Sequence, residues 1–93
     1  MELKITVNSV ADDTEYGGEQ ILAAEKGEYR LEEIFRLPFF RIIIDDIIDG
    51  AVCFRLMEGA VEHFFVLDGK DRLANFSRET SIGEDNFTFE LLI

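Results

Sequence analysis

Apolar and polar residues alternate along much of the chain, and this alternation predicts β-strands. In the first segment Leu3, Ile5 and Val7 fall on one side of an extended chain, whereas Lys4 and Thr6 fall on the other. A strand with one buried face and one solvated face has this period of two. A similar pattern recurs in three later segments, which are 52–56, 61–67 and 87–91.

Short turns separate these segments at intervals of about ten residues, a spacing typical of strands joined by hairpins. The turn dipeptides are Asp49-Gly50, Glu58-Gly59 and Asp68-Gly69. Aromatic and β-branched residues favour a further strand over 39–48. We therefore predict an all-β fold with at most one short helix, built as a small antiparallel β-sandwich or partly open barrel of six to eight strands. A single β-rich domain spans residues 1–93, because a second core would leave each half too short to fold unaided.

Two segments lack a clear alternation. The helix formers of 19–26 (EQILAAEK), followed by Gly27, fit either a short helix or a strand, and the pattern leaves both open. The polar stretch 70–86 predicts a strand near 73–78, followed by a loop over 83–86.

Composition places the chain among folded proteins with an acidic surface. The 93 residues are 47% hydrophobic and include nine Phe, which is enough to fill a core and excludes disorder of the whole chain. Twenty Asp and Glu against nine Lys and Arg give a net charge of −11. Binding to nucleic acid or anionic lipid sets Lys and Arg against phosphate, so we expect neither nucleic acid nor a membrane as a direct partner.

The sequence predicts a soluble cytoplasmic protein. The opening MELKITVNSV lacks the basic flank and long apolar run of a secretory signal, and no apolar run approaches the length of a membrane span. Cys53 is the only cysteine, so the internal disulfide that usually supports a small secreted domain cannot form.

Acidic residues cluster at one candidate cation site. Asp45, Asp46 and Asp49 surround a tight turn, and converging carboxylates are the ligands that Ca²⁺ prefers. Their spacing does not fit an EF-hand loop, because Leu56 stands where the final carboxylate is required. We interpret them as solvated side chains at the end of a strand and predict neither a metal nor a cofactor. A site assembled in space with the acidic residues of 68–71 stays open.

Cys53 and His63 are the candidates for catalysis. Folding the chain back at Glu58-Gly59 places Cys53 opposite or near His63, and a thiol beside an imidazole is the arrangement of a cysteine nucleophile. The sequence lacks an oxyanion-hole motif, a Gly-x-Ser-x-Gly motif and a phosphate-binding loop. We therefore expect a non-enzymatic protein with Cys53 in the core and His63 half-buried, and a Cys/His-based enzyme is the least favoured hypothesis.

Paired aromatic residues predict contacts with a partner. Adjacent residues on a strand face opposite sides, so Phe39-Phe40 and Phe64-Phe65 each predict one core ring and one ring that another layer or another chain must cover. An exposed ring beside apolar neighbours would form a patch large enough to indicate association. Those neighbours are Ile43 and Val66.

The acidic run 12–19 contains a further candidate. Tyr16 precedes two glycines there, and the run is typical of a solvated connection or of a flexible loop in which an aromatic ring anchors a partner. The candidate partner-binding residues are therefore Tyr16, Phe39, Phe40 and Phe64.

These observations favour a small acidic protein-interaction module that docks on a protein partner or associates with itself. The alternative is an acidic mimic of nucleic acid that inhibits a DNA- or RNA-binding protein, for which the carboxylates must line up in rows at phosphate-like separations instead of being spread evenly over the molecule. Acidity is also a general aid to solubility, which places this alternative second.

Overall fold

The computed structural model describes residues 1–31 and 40–93, with the backbone but not the side chain of Tyr16. Within these residues the chain is all-β, which confirms the predicted fold class. The described residues form eight strands: β1 (Glu2–Ala11), β2 (Thr14–Ala23), β3 (Gly27–Arg30), β4 (Phe40–Ile48), β5 (Ala51–Glu58), β6 (Val61–Leu67), β7 (Leu73–Thr80) and β8 (Gly83–Leu92). No helix is found in the described part, and hence none that is long and apolar enough to cross a membrane.

The strands form two four-stranded antiparallel sheets. Sheet A has the strand order β2-β1-β8-β7, and sheet B has the order β3-β4-β5-β6. The chain changes sheet twice, between β2 and β3 and again between β6 and β7. The first and last strands pair along their whole length in the middle of sheet A, from Glu2 opposite Leu92 to Ala11 opposite Gly83.

Apolar side chains from both sheets fill the space between them. On β1 and β8 every second residue is buried, and Ile5 lies directly opposite Phe89. Aromatic rings connect the sheets, since the centroid of Phe87 lies 4.8 Å from that of Phe40 and the centroid of Phe89 lies 5.1 Å from that of Phe54. Tilted and edge-to-face rings at these distances stabilise a core beyond the area that they bury.

Tight turns join neighbouring strands where the sequence predicts them. Asp49 and Gly50 have φ angles of 52° and 80°, the left-handed pair of a type I′ turn, whose twist matches that of the strands it connects. Gly59 has a φ of 59° and opens the two-residue turn between β5 and β6. Both turns keep each strand beside the next one along the chain.

The segment 19–26 is extended as far as Ala23, which settles the choice between helix and strand. It belongs to β2, where Leu22 lies opposite Leu3 and is buried, while Ile21 is exposed on the outer face. Pairing with β1 supplies backbone hydrogen bonds and a buried position that an isolated two-turn helix would lack. Tertiary contact therefore outweighs helix propensity here.

The two loops predicted from polar composition are wrong. Residues 83–86 belong to β8, because the polar Asp85 finds hydrogen-bond partners inside the molecule. The acidic run 12–19 is a tight turn followed by β2. Within it Gly17 is required by close packing, since a Cβ at this position would overlap the carbonyl oxygen of Val7.

Two matched substitutions test the assignment of inner and outer faces. We expect Ile5→Val to lower the free energy of unfolding by about 0.5–1.5 kcal/mol, because it removes a fully buried methylene from the core. Ile21→Val removes the same group from a side chain that is 50% exposed, and we expect a change within about 0.5 kcal/mol. Urea denaturation followed by circular dichroism measures both, and equal losses would contradict the assignment.

Candidate interaction surface

β6 forms one edge of sheet B and carries exposed apolar side chains. Phe64 is 70% exposed and Val66 is 58% exposed. Between them Phe65 points inward, and its ring centroid lies 5.3 Å from Phe54 and 5.1 Å from Phe89. The predicted opposite facing of Phe64 and Phe65 is therefore confirmed. Covering exposed hydrocarbon stabilises an assembly by about 25 cal/mol per Å², so this edge favours contact with another surface.

Phe64 and Val66 share the outer face of sheet B with two further apolar side chains, one of which lies on the far side of Arg55. Cys53 on β5 lies opposite Val66, and Arg55 lies opposite both Phe64 on β6 and Ile43 on β4. Cys53 and Ile43 are half-buried. We name these four side chains, Ile43, Cys53, Phe64 and Val66, the outer strip of sheet B.

The two arginines nearest the outer strip, Arg55 and Arg41, are already paired with carboxylates. Arg55 Nη2 donates to Asp45 Oδ1 at 2.7 Å and Nε donates to Oδ2 at 2.9 Å, while Nη1 donates to Glu62 Oε1 at 2.7 Å. These hydrogen bonds, first the one to Asp45 and then the one to Glu62, raise the pKa of Arg55. Arg41 pairs with Glu28 at 2.7 Å. A partner therefore meets hydrocarbon and satisfied ion pairs on this face.

The backbone of β6 also faces outward at alternate residues. In an antiparallel hairpin with a two-residue turn, the pair next to the turn exchanges both hydrogen bonds, and every second pair beyond it does the same. Glu58 and Val61 are that first pair, so the odd-numbered residues of β6 direct their N–H and C=O groups to β5. Glu62, Phe64 and Val66 direct theirs to the open edge.

The outer face of sheet A is more negative than the outer face of sheet B. Among the described residues the outer face of sheet A carries six carboxylates and one lysine, which are Glu2, Glu15, Glu19, Glu79, Glu84, Glu90 and Lys4. The corresponding face of sheet B carries four carboxylates and three arginines, which are Glu28, Asp45, Asp46, Glu62, Arg30, Arg41 and Arg55. The outer strip therefore lies on the nearly neutral face.

Three carboxylates of sheet A share one row across the strands. Glu79 lies directly opposite Glu84, and Val10 separates Glu84 from Glu15. We name Glu15, Glu79 and Glu84 the acidic row. Like charges directly opposite one another destabilise a sheet, so this row has an electrostatic cost to folding. A shallow depression beside it is lined by Val10, Glu79, Thr80, Gly83 and Glu84.

A chain of polar contacts connects the two sheets inside the molecule. Ser9 Oγ donates to Asp85 Oδ1 at 2.7 Å, and Arg78 Nε donates to Asp85 Oδ2 at 2.8 Å, all on sheet A. Arg78 Nη1 then donates to Glu58 on sheet B, whose Oε1 lies 3.5 Å from His63 Nε2. Burial works to lower the pKa of Arg78, but its hydrogen bonds to Asp85 and Glu58 outweigh that effect and raise the pKa.

This polar network links the two sheets in the interior and has a structural role. Ser9 is 1% exposed and Asp85 is 7% exposed, so this pair offers no access to a substrate. The Arg78 guanidinium lies over the Phe40 ring, with Cζ 4.7 Å from the centroid, and the His63 ring lies 4.2 Å from that of Phe76. Cation–π and aromatic contacts therefore join the ion pairs in holding β7 against sheet B.

The four candidate partner-binding residues have different environments. Phe64 lies on the outer strip. Phe40 is 2% exposed and packs against Phe87 and Arg78, so its prediction as a contact residue is wrong, because the core covers the ring. Tyr16 lies in β2 opposite Ser9, with its side chain outside the description, and Phe39 lies outside the described residues.

The register of β5 and β6 separates Cys53 from His63. Cys53 lies opposite Val66 and faces outward, whereas His63 lies opposite Leu56 and faces Glu58 on the inner side. The predicted proximity of the thiol and the imidazole is therefore wrong, because the two-residue turn brings residue 56 opposite residue 63. The prediction that Cys53 lies in the core is also wrong, whereas His63 is half-buried as predicted.

Three of the candidate cation ligands, Asp45, Asp46 and Asp68, are engaged within the chain. Asp45 is held by Arg55, and Asp46 Oδ1 accepts the N–H of Ile47 at 2.9 Å beside a β-bulge. Asp68 Oδ1 accepts two backbone N–H groups of its own turn at 2.8 Å, and these hydrogen bonds lower the pKa of Asp68. Within 1–31 and 40–93, no three Cys, His, Asp or Glu side chains converge in the way that a metal site requires.

The polar network could not be predicted from the sequence. Its members come from five strands, and Ser9 and Asp85 are separated by 76 positions. The available signal was Ser9 itself, which continues the buried face of β1 after Val7 and so required a polar partner inside. Nothing in the sequence indicated that Asp85 would supply it.

Comparison with known proteins gave no match. No family model matches the chain, and neither a curated protein nor a solved structure shows significant similarity to it.

A pair of serine substitutions tests the polar network. We expect Ser9→Ala to lower the free energy of unfolding by about 1–3 kcal/mol, because it leaves a buried carboxylate oxygen of Asp85 without its donor. Ser77→Ala removes a hydroxyl that donates at the same distance of 2.7 Å, but to Asn86 on the exposed face, and we expect a change within about 0.5 kcal/mol. Urea unfolding of both variants is the measurement. A loss of stability in Ser9→Ala no larger than that in Ser77→Ala would contradict the stabilising role of the polar network.

Proposed function

We propose that the chain is a non-enzymatic protein-interaction module whose contact surface is the outer strip of sheet B together with the edge of β6. The observation that carries this proposal is the coincidence of exposed hydrocarbon and unpaired backbone on one strand. Phe64 and Val66 expose more than half of their surface, and their backbone groups point to the open edge. The compartment that suits the proposal is the cytoplasm, where a protein with one free thiol and no disulfide is ordinary.

The electrostatics of the surface support docking on a protein. Association removes water from the groups that it covers, and charges left without partners then oppose binding. Beside the outer strip Arg55 forms ion pairs with Asp45 and Glu62. A partner that covers the strip therefore does not leave the charge of Arg55 without a partner. An interface of this kind has an apolar centre and a polar rim, the arrangement common to protein–protein contacts.

Site-specific photo-crosslinking in the native host tests the proposal. A photoreactive benzophenone analogue of phenylalanine placed at Phe64 is a close substitute for a ring that is 70% exposed. We expect irradiation to produce a discrete protein adduct from this position, whose composition mass spectrometry then identifies. The matched control places the same analogue at Asn75, which is exposed on the outer face of sheet A.

The control decides how the adducts are interpreted. An adduct from position 64 that is absent from position 75 supports docking through sheet B. Equal labelling at the two positions, or the absence of any adduct at 64, rejects the proposal.

A second function, imitation of nucleic acid, has support from the distribution of charge. The outer face of sheet A carries six carboxylates against one lysine, an excess that the outer face of sheet B lacks, and the acidic row sets Glu79 against Glu84. Retaining such a row at a cost to folding favours a role in binding a basic groove.

The cost of the acidic row can be measured. We expect Glu84→Gln to raise the free energy of unfolding by about 0.2–1 kcal/mol at low salt, because it removes the repulsion from Glu79. Glu90→Gln is the control, since Glu90 lies opposite Lys4 and gains nothing from neutralisation. Urea unfolding in low and high salt is the measurement. If Glu84→Gln is no more stable than Glu90→Gln, the row has no cost and the argument for mimicry fails.

A further inference from the structure

We infer that the occupant of this surface is a second copy of the same chain, joined by antiparallel pairing of the two β6 strands across a two-fold axis at Phe64. The inference rests on the proposed function, because it names the partner of the same edge. It extends sheet B of each copy into one continuous sheet of both molecules.

β6 is the edge with the most exposed hydrocarbon among the described strands, whose sheet edges are β2, β7, β3 and β6. In natural proteins an edge strand is protected from pairing with another chain by being short, by an irregular backbone or by charge. β3 has four residues, and β2 contains two glycines and two glutamates. β7, like β6, lacks glycine, proline and lysine, but apart from Leu73 its edge-facing residues are polar or charged. On β6 the edge-facing Phe64 and Val66 are apolar and mostly exposed.

The direction of the backbone groups gives the register of the pairing. Among the described strands none pairs with the outward N–H and C=O groups of Glu62, Phe64 and Val66, and an antiparallel pair exchanges hydrogen bonds at every second residue. With the axis at Phe64, this residue pairs with Phe64 of the second copy, and Glu62 pairs with Val66 at each end. This register uses all three free residues of both strands.

A second copy of the chain can pair with the backbone hydrogen-bonding groups of this edge by symmetry. Each β6 offers the donors and acceptors that the other lacks, and such a two-fold contact is self-complementary. The two Phe64 side chains then lie on the same outer face, with Cα atoms about 5.5 Å apart, so each ring covers the other. The outer strips of the two copies join into one apolar surface.

Charge also permits a second copy at this edge. Glu62 is neutralised by Arg55 at 2.7 Å within each chain. In the inferred register the two Glu62 residues lie on opposite sides of the axis, about 14 Å apart from strand geometry. That separation exceeds the Debye length of about 8 Å at physiological ionic strength, so their repulsion is screened. At β2, by contrast, Glu15 and Glu19 would oppose the approach of an equally acidic molecule.

A proline substitution tests the pairing directly. In Phe64→Pro the ring nitrogen replaces an N–H that points away from β5, so the hairpin keeps its hydrogen bonds while the edge loses one donor. We expect sedimentation velocity over about 1 µM to 1 mM to show a monomer–dimer equilibrium for the unmodified chain. We expect the variant to dimerise at least about tenfold more weakly.

Two comparison variants separate the pairing from other causes. Ser77→Pro places proline at the corresponding edge-facing position of β7, and we expect it to dimerise as the unmodified chain does. Phe64→Thr removes the ring but keeps the N–H, so we expect a smaller loss than in Phe64→Pro. Circular dichroism checks that all three variants stay folded.

Amide hydrogen exchange gives a second readout that does not need a variant. We expect the amides of Glu62, Phe64 and Val66 to exchange more slowly as the protein concentration rises, while those of Asn75 and Ser77 do not change. Dimerisation without this protection would overturn the strand pairing in favour of face-to-face contact.

The outcomes also distinguish this inference from the proposed function. A chain that stays monomeric over the whole concentration range overturns the inference. If crosslinking from position 64 then captures a different protein, the interaction module stands with another partner. If it captures nothing, both proposals fail together.

Discussion

The pairing of the first strand with the last is the constraint on which the rest of the structure depends. β1 and β8 lie in the middle of sheet A and bring Leu3, Ile5 and Val7 beside the aromatic residues of β8. The remaining strands follow in chain order, with β2 beside β1, β7 beside β8, and β3 to β6 forming sheet B. Among the described strands the edges are therefore β2 and β7 in sheet A and β3 and β6 in sheet B.

The outer faces of the two sheets differ in charge and in exposed apolar surface. Most of the paired arginines lie on sheet B, and the excess of glutamate lies on sheet A. A net charge of −11 would keep copies apart if it were spread evenly. Because the charge is segregated, one face stays nearly neutral and can accept an apolar contact. The same segregation keeps the acidic row available for a basic partner.

Strands with one buried face could be predicted from the sequence, because burial sets their alternating pattern. Segments whose structure depends on pairing with a strand far away in the chain could not. Alternation was sufficient for β1, for the hairpins of sheet B and for the outward direction of Phe64. The segment 19–26 stayed ambiguous because only its pairing with β1 makes it a strand. Residues 83–86 have the composition of a turn, and their place in β8 depends on Ser9 far away in the chain. Strand order, and with it the open edge of β6, could not be predicted because no local signal specifies which strands lie at the edges.

The dependence of self-association on salt is the most direct test of this account. Between about 10 mM and 1 M salt the Debye length falls from about 30 Å to about 3 Å, which screens repulsion between acidic molecules but leaves apolar contacts and backbone pairing in place. If two copies meet through the neutral, apolar edge, light scattering will show a dimer that strengthens as NaCl is added. A dimer that dissociates with salt, or a monomer at every salt concentration, would contradict the account.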